Sequence, residues 1–123
     1  MVKFLLVFLG GGIGSMLRYG VQVLFNRHNL SGGMPWSTLT VNLLGSLVIG
    51  LIVGLATRHQ ASEETRLLLV TGLCGGFTTF STLSHDSVQL LRNGMTLQFA
   101  LYVAATLVLG ILLCYLGLLI SQK

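Results

Sequence analysis

Charge is scarce in this chain. Only 8% of its 123 residues are charged, and the acidic ones number three: Glu63, Glu64 and Asp86. A soluble globular protein carries about a quarter of its residues as charges, so a solvated outer surface is excluded for most of the chain. The net charge of +4 is dispersed, with no basic run. That excludes nucleic acid as a partner and gives anionic lipid no specific hold. Cysteine occurs twice. Cys74 and Cys114 lie inside apolar runs, with no metal-ligand spacing and no histidine close in sequence. They read as small packing residues rather than as a disulfide or a metal site. No nucleophile stands beside a base and no cluster of ligating side chains is present, so the chain does not read as an enzyme.

What fills the chain is hydrocarbon. Hydrophobic residues make up 53% of it, and its mean hydropathy is +0.85. Four apolar stretches run over about Phe4 to Phe25, Pro35 to Ala56, Leu67 to Leu91 and Thr96 to Ile120. Each reaches the length of about 20 residues that a helix needs to cross a bilayer core about 30 Å thick. The expectation is a single all-α, four-helix integral membrane domain with the lipid bilayer as its surroundings. Lys3 followed by "FLLVFL" has no small-x-small cleavage site after it, so it reads as an uncleaved first span rather than a signal peptide. With four spans, one side of the membrane carries Lys3, Arg58, Arg66 and Lys123, and the other carries Arg27 and Arg92, joined by Arg18 if it lies near the span end. Orientation follows such basic residues. So near a balance lets the chain insert either way up, which raises an antiparallel dimer of the chain with itself.

Small residues are spaced for helix contact. Gly10 and Gly14 make one GxxxG step, and Ser46, Gly50 and Gly54 repeat the pattern in the second span; such residues let helices approach closely in lipid. "GGGIGSMLRYG" also invites a nucleotide-loop reading, which fails because no strand precedes it and no soluble βαβ unit can form. Two polar residues sit deep in spans. Arg18 reads either as an anchor snorkelling to the interface beside Tyr19 or as a cation drawing anions into a vestibule. Pro35 and Trp36 mark the start of the second span, which puts Asn42 about two turns in. An amide there must face protein or water. It serves either an interhelical hydrogen bond or, through its N–H donors, a small anion.

The third span carries "TGLCGGFTTFSTLSHDS", residues 71 to 87. Gly72, Gly75 and Gly76 followed by Thr78, Thr79, Ser81, Thr82 and Ser84 weaken a helix at mid-membrane, and a break is the expectation. Backbone freed at that depth is tolerated only where it is buried in protein or lines a wet cavity, and transporters place ion sites at such breaks. Phe77 and Phe80 bring ring edges of partial positive charge. The alternative is a packing helix whose hydroxyls bond back one turn. His85 and Asp86 read as residues near a helix end rather than as a proton relay.

In order and spacing, "GGGIGSMLRYG", "STLTVNLLGSLVIG" and "TGLCGGFTTFSTLS" resemble the three signature stretches of the Fluc/CrcB family of small fluoride channels. The resemblance implies a bacterial inner-membrane channel that passes the fluoride ion out of the cytoplasm, assembled as a dual-topology antiparallel dimer with two pores. It implies that Asn42 is the pore amide for fluoride, that Phe80 presents a ring edge, and that Ser81 and Thr82 lie on a polar track beside it. Arg18 becomes the vestibule arginine. Backbone carbonyls of Gly75 and Thr78 would hold a structural Na⁺ at the dimer centre. The chain departs from the family twice. Leu83 stands where the family's "TTFSTF" has a second phenylalanine, and Ile111 follows Gly110 where a serine is common. A homodimer would then keep one ring type per pore, which opens the alternatives of a paralogous partner subunit and of a non-conducting scaffold. A small multidrug exporter, similar in size and topology, needs a carboxylate in its first span, and none is there.

Overall fold

The computed structural model describes residues 1–27 and 33–123, and among them every regular element is helical. Helix α1 covers Val2–Arg27 and α2 covers Trp36–Arg58. The third span is composite: α3 (Glu63–Arg66), a π-helical stretch (Leu67–Cys74), α4 (Gly75–Phe77) and, after a break, α5 (Phe80–Arg92). Helix α6 covers Thr96–Gln122. Among the described residues four stretches are long and apolar enough to cross a membrane: α1, α2, Glu63–Arg92 and α6. Helix is the expected solution, because in lipid each backbone donor and acceptor must be satisfied within its own segment.

The ends of the spans are written locally. Ser62 caps α3 by accepting from the Thr65 amide at 3.2 Å, and Glu63 and Glu64 place negative charge in the first turn, where the helix dipole favours it. After α5 the chain turns through Gly94 at φ +73°. The Gly94 amide donates to Leu91 O at 3.1 Å and the Met95 amide to Leu90 O at 2.9 Å, which satisfies the orphan carbonyls of the helix end.

Glycine pairs the helices. Helix α1 lies along the first half of the third span, and a Cβ at Gly72 or at Gly76 would come within 2.9 Å of the Cα of Gly10 or Gly11, respectively. The two run parallel: Lys3 Nζ meets Glu63 Oε2 at 3.0 Å at one end, and Arg18 meets Gly76 further along. Helices α2 and α6 pair in the same way, with Gly50 against Cys114, Gly54 against Ser121 and Gly117 against the Leu47–Leu51 backbone. Where α2, α5 and α6 meet, Leu39, Leu83, Leu90 and the fully buried Tyr102 form a small core.

The third span is broken, but not by its glycines. Gly72 and Gly76 are spent on close contact with α1, and helical conformation persists through Phe77. The chain extends instead at Thr78 (φ −83°, ψ 157°) and Thr79 (φ −151°, ψ 115°), halfway along the span. β-branched residues favour this conformation, and each threonine supports it with its own hydroxyl. Thr78 Oγ1 donates to Cys74 O at 3.0 Å, and Thr79 Oγ1 accepts from the Thr82 amide at 3.2 Å, capping α5.

Candidate functional site

A break at membrane depth frees backbone groups, and the neighbouring spans answer some of them. Asn42, on α2, holds Thr79 from both sides: its Nδ2 donates to Thr79 O at 3.2 Å, and its Oδ1 accepts from the Thr79 amide at 2.9 Å. One Nδ2–H of the amide is left for another acceptor. Arg18, on α1, donates through Nε to Gly76 O at 3.2 Å, and Ser15 Oγ reaches the same oxygen at 3.5 Å. The carbonyls of Gly75 and Thr78 receive no hydrogen bond from the described residues. Side chains from α1 and α2 thus occupy the acceptors at Gly76 and Thr79 and leave those at Gly75, Phe77 and Thr78 open.

Beside the break lies an open groove of 330 Å³, bordered by Asn42, Ser46, Thr79, Phe80, Leu83 and Thr106 among others. Phe80 projects from the molecule, 77% exposed, and Ser81 beside it is exposed as well. Thr82 is partly buried and shares a hydrogen bond with Thr79 Oγ1 at 3.0 Å. A separate polar recess of 30 Å³, bordered by Arg18, Gln22, Ser37, Thr38, Thr79 and Thr82 among others, is large enough for one water-sized guest. The expected site residues Arg18, Asn42, Gly75, Thr78, Phe80, Ser81 and Thr82 therefore gather around a single feature, the break. Helix α5 begins at Phe80, so its positive dipole end and first unpaired amides lie there too.

The two departures fare differently. Leu83 is buried in the core with Leu39, Leu90 and Tyr102, and it also borders the groove. Ile111 does not border it: this side chain is 70% exposed on the outer face of α6, and the polar residue that α6 brings to the groove is Thr106.

Two polar residues of α6, Tyr102 and Thr106, escaped sequence reasoning. Tyr102 donates its hydroxyl to Asp86 Oδ2 at 3.1 Å, and Thr106 and Ser46 bond back to Tyr102 O and Asn42 O at 2.7 Å. The signal was available as helical spacing: Thr38, Asn42 and Ser46 stand four apart on α2, and Tyr102 and Thr106 four apart on α6. Each stripe puts polar groups on the buried side of an otherwise apolar helix.

A family model described as CrcB-like protein, Camphor Resistance (CrcB), matches residues 5–118. The chain belongs to the CrcB family. Its CrcB relatives are similar over nearly their whole length. One from Phocaeicola vulgatus is 45% identical over 122 residues, covering 99% of this chain and 100% of that protein. One from Thermus thermophilus is 48% identical over 117 residues, covering 95% of this chain and 93% of that protein. One from Hyphomonas neptunium is 47% identical over 122 residues, covering 98% and 95%. All three relatives are called fluoride-specific ion channel FluC. They carry the name of a channel, not of an enzyme, and with its membrane-length helices this CrcB chain is a multi-pass membrane protein.

Proposed function

We propose that this chain is a passive fluoride channel of the bacterial inner membrane, working as an antiparallel dimer. The observation that carries the reading is the convergence of Asn42, Thr79, the Phe80 ring and the start of α5 on one groove at the break, with Thr82 in the polar recess that shares Thr79 with it. These groups offer a small anion several weak, neutral contacts in place of its hydration shell. Neutral contacts suit conduction, because an ion must be able to leave each site it enters. The free Nδ2–H of Asn42 and the positive edge of Phe80 are donors of that kind. Arg18, partly buried between the recess and the break, raises the local anion concentration.

Two features favour the dimer. Among the described residues, Phe80 and Gly75 are left exposed beside the break. The open carbonyls of Gly75 and Thr78 are hard neutral oxygens that fit an alkali cation such as Na⁺, but one pair is too few to replace its hydration shell. A two-fold axis beside the break would double them. A cation bound there would supply positive charge at the centre of the dimer; the protein's part is to keep those carbonyls open. Among the described residues no group of three or more His, Cys, Asp or Glu could hold a metal.

The test is fluoride efflux, read by electrode, from liposomes that hold only the purified chain, with valinomycin for charge balance. Fast efflux without chloride leak is expected. A second reading, a subunit that needs a paralogous partner, is favoured by Leu83 in the place of a ring. It predicts no efflux from the chain alone and recovery when the partner is co-reconstituted. No efflux under either condition would leave a scaffold and overturn the channel reading.

A further inference from the structure

The geometry points to a second task for Arg18: we infer that its Nε–H is a positioning group that orients the cation-binding carbonyls. The inference rests on the cation reading above. A charge that only attracts anions is best left free in the recess. Here Nε is bound instead, at 3.2 Å, to Gly76 O, the one carbonyl lying between Gly75 and the Phe77–Thr78 exit from the helix. The break removes the amide that would otherwise have bonded this oxygen from one turn ahead, since the chain at Thr78 and Thr79 is extended. Without Arg18, Gly76 O would stand open beside the carbonyls of Gly75, Phe77 and Thr78. Four consecutive open acceptors on a short, glycine-rich turn have no reason to settle in one arrangement.

Two side chains from two different spans resolve this. Arg18 occupies Gly76 O, and Asn42 occupies both backbone groups of Thr79. The residues on either side of the Phe77–Thr78 pair are thereby tethered, and the carbonyls of Gly75, Phe77 and Thr78 are left as the open set, from which the cation takes those of Gly75 and Thr78. Helix α1 cannot drift from its post, because Gly10, Gly11 and Gly14 lie in backbone contact with Gly72, Leu73 and Gly76. That contact makes the guanidinium a fixed strut rather than a mobile charge. Ser15 supports it on the same oxygen at 3.5 Å.

Chemistry separates the strut from the charge. In glutamine, Nε2 is as many bonds from Cα as Nε is in arginine, and it carries N–H donors without charge. Lysine keeps the charge but puts a methylene at that position. The experiment uses the full-length chain and the variants Arg18→Gln, Arg18→Lys and Arg18→Met. The first readout is the Na⁺ concentration that half-saturates the rise in melting temperature in detergent, with N-methylglucamine as the replacing cation; fluoride efflux against Na⁺ is the second. The expected result is a midpoint within about threefold of the unmodified chain for Arg18→Gln. For Arg18→Lys and Arg18→Met it rises about tenfold or more, the scale of losing a hydrogen bond to a charged donor. Should Arg18→Met fail to fold, the comparison of Gln with Lys decides alone. A normal midpoint in Arg18→Lys with a shifted one in Arg18→Gln would overturn the inference in favour of charge alone. Equal midpoints in all variants, or equal shifts, would overturn it too. No response to Na⁺ in the unmodified chain would instead remove the cation reading, and this inference with it.

Discussion

Replacing Asn42 by aspartate changes one nitrogen to an oxygen and preserves shape, which makes Asn42→Asp the sharpest probe of the groove. The side chain is 9% exposed, so solvent screens the new charge little. Its two hydrogen bonds to Thr79 respond in opposite ways. The bond from the Thr79 amide, 2.9 Å long, survives, because a carboxylate oxygen still accepts. The bond to Thr79 O, 3.2 Å long, is lost, and a carboxylate oxygen then faces a carbonyl oxygen. Leaving that buried acceptor unpaired costs about 1–3 kcal/mol. The larger effect falls on the ion. A carboxylate about 4 Å from a fluoride repels it by about 4 kcal/mol at an effective dielectric of about 20, a fall in occupancy of several hundredfold. Efflux from liposomes with equal amounts of reconstituted protein should therefore drop at least about a hundredfold, while the elution profile in detergent stays that of the unmodified chain. Efflux within about threefold of the unmodified chain would sink both the pore role of Asn42 and the close approach of fluoride to its side chain.

Three further substitutions divide function from packing. Phe80→Leu removes ring edges from a side chain that is 77% exposed in the chain; efflux is expected to fall about tenfold or more with the melting temperature of the monomeric fold nearly unchanged, and normal efflux would dismiss the aromatic contact. Gly76→Ala would bring a methyl group to 2.9 Å from Gly11 Cα, an overpacking cost of about 1–3 kcal/mol. Gly12→Ala, with nothing within 4 Å of the added carbon, is the matched control, and equal melting temperatures for the two would contradict the helix contact described. Tyr102→Phe takes the hydroxyl from Asp86 Oδ2 and should lower stability by about 1.5–3 kcal/mol, as read by thermal unfolding; a loss below about 0.5 kcal/mol would mean that Asp86 finds another partner.

The class of the molecule was written in composition. Few charges and four runs of apolar residues leave helices in lipid as the available fold, because an unpaired amide has no water to turn to. The polar centre of the third span announced a break for the same reason: eight glycine and hydroxyl residues within Gly72 to Ser84 make no sense against hydrocarbon. What pattern could not assign was the work each residue does there. Gly72 and Gly76 looked like the cause of the break and are the surface on which α1 rests; the extension belongs to Thr78 and Thr79. Asn42 read as either an interhelical hydrogen bond or an anion contact, and Arg18 as either an interfacial anchor or a vestibule cation; the backbone groups they meet, at Thr79 and Gly76, came only from the structure. Ile111, next to Gly110 in sequence, turns away from the groove that Thr106 borders. Residue type and spacing record what a side chain can bond to and which face of its own helix it occupies. Which backbone group stands opposite that face depends on how two helices from distant parts of the chain are set against each other, and that setting comes from the glycine contacts between them.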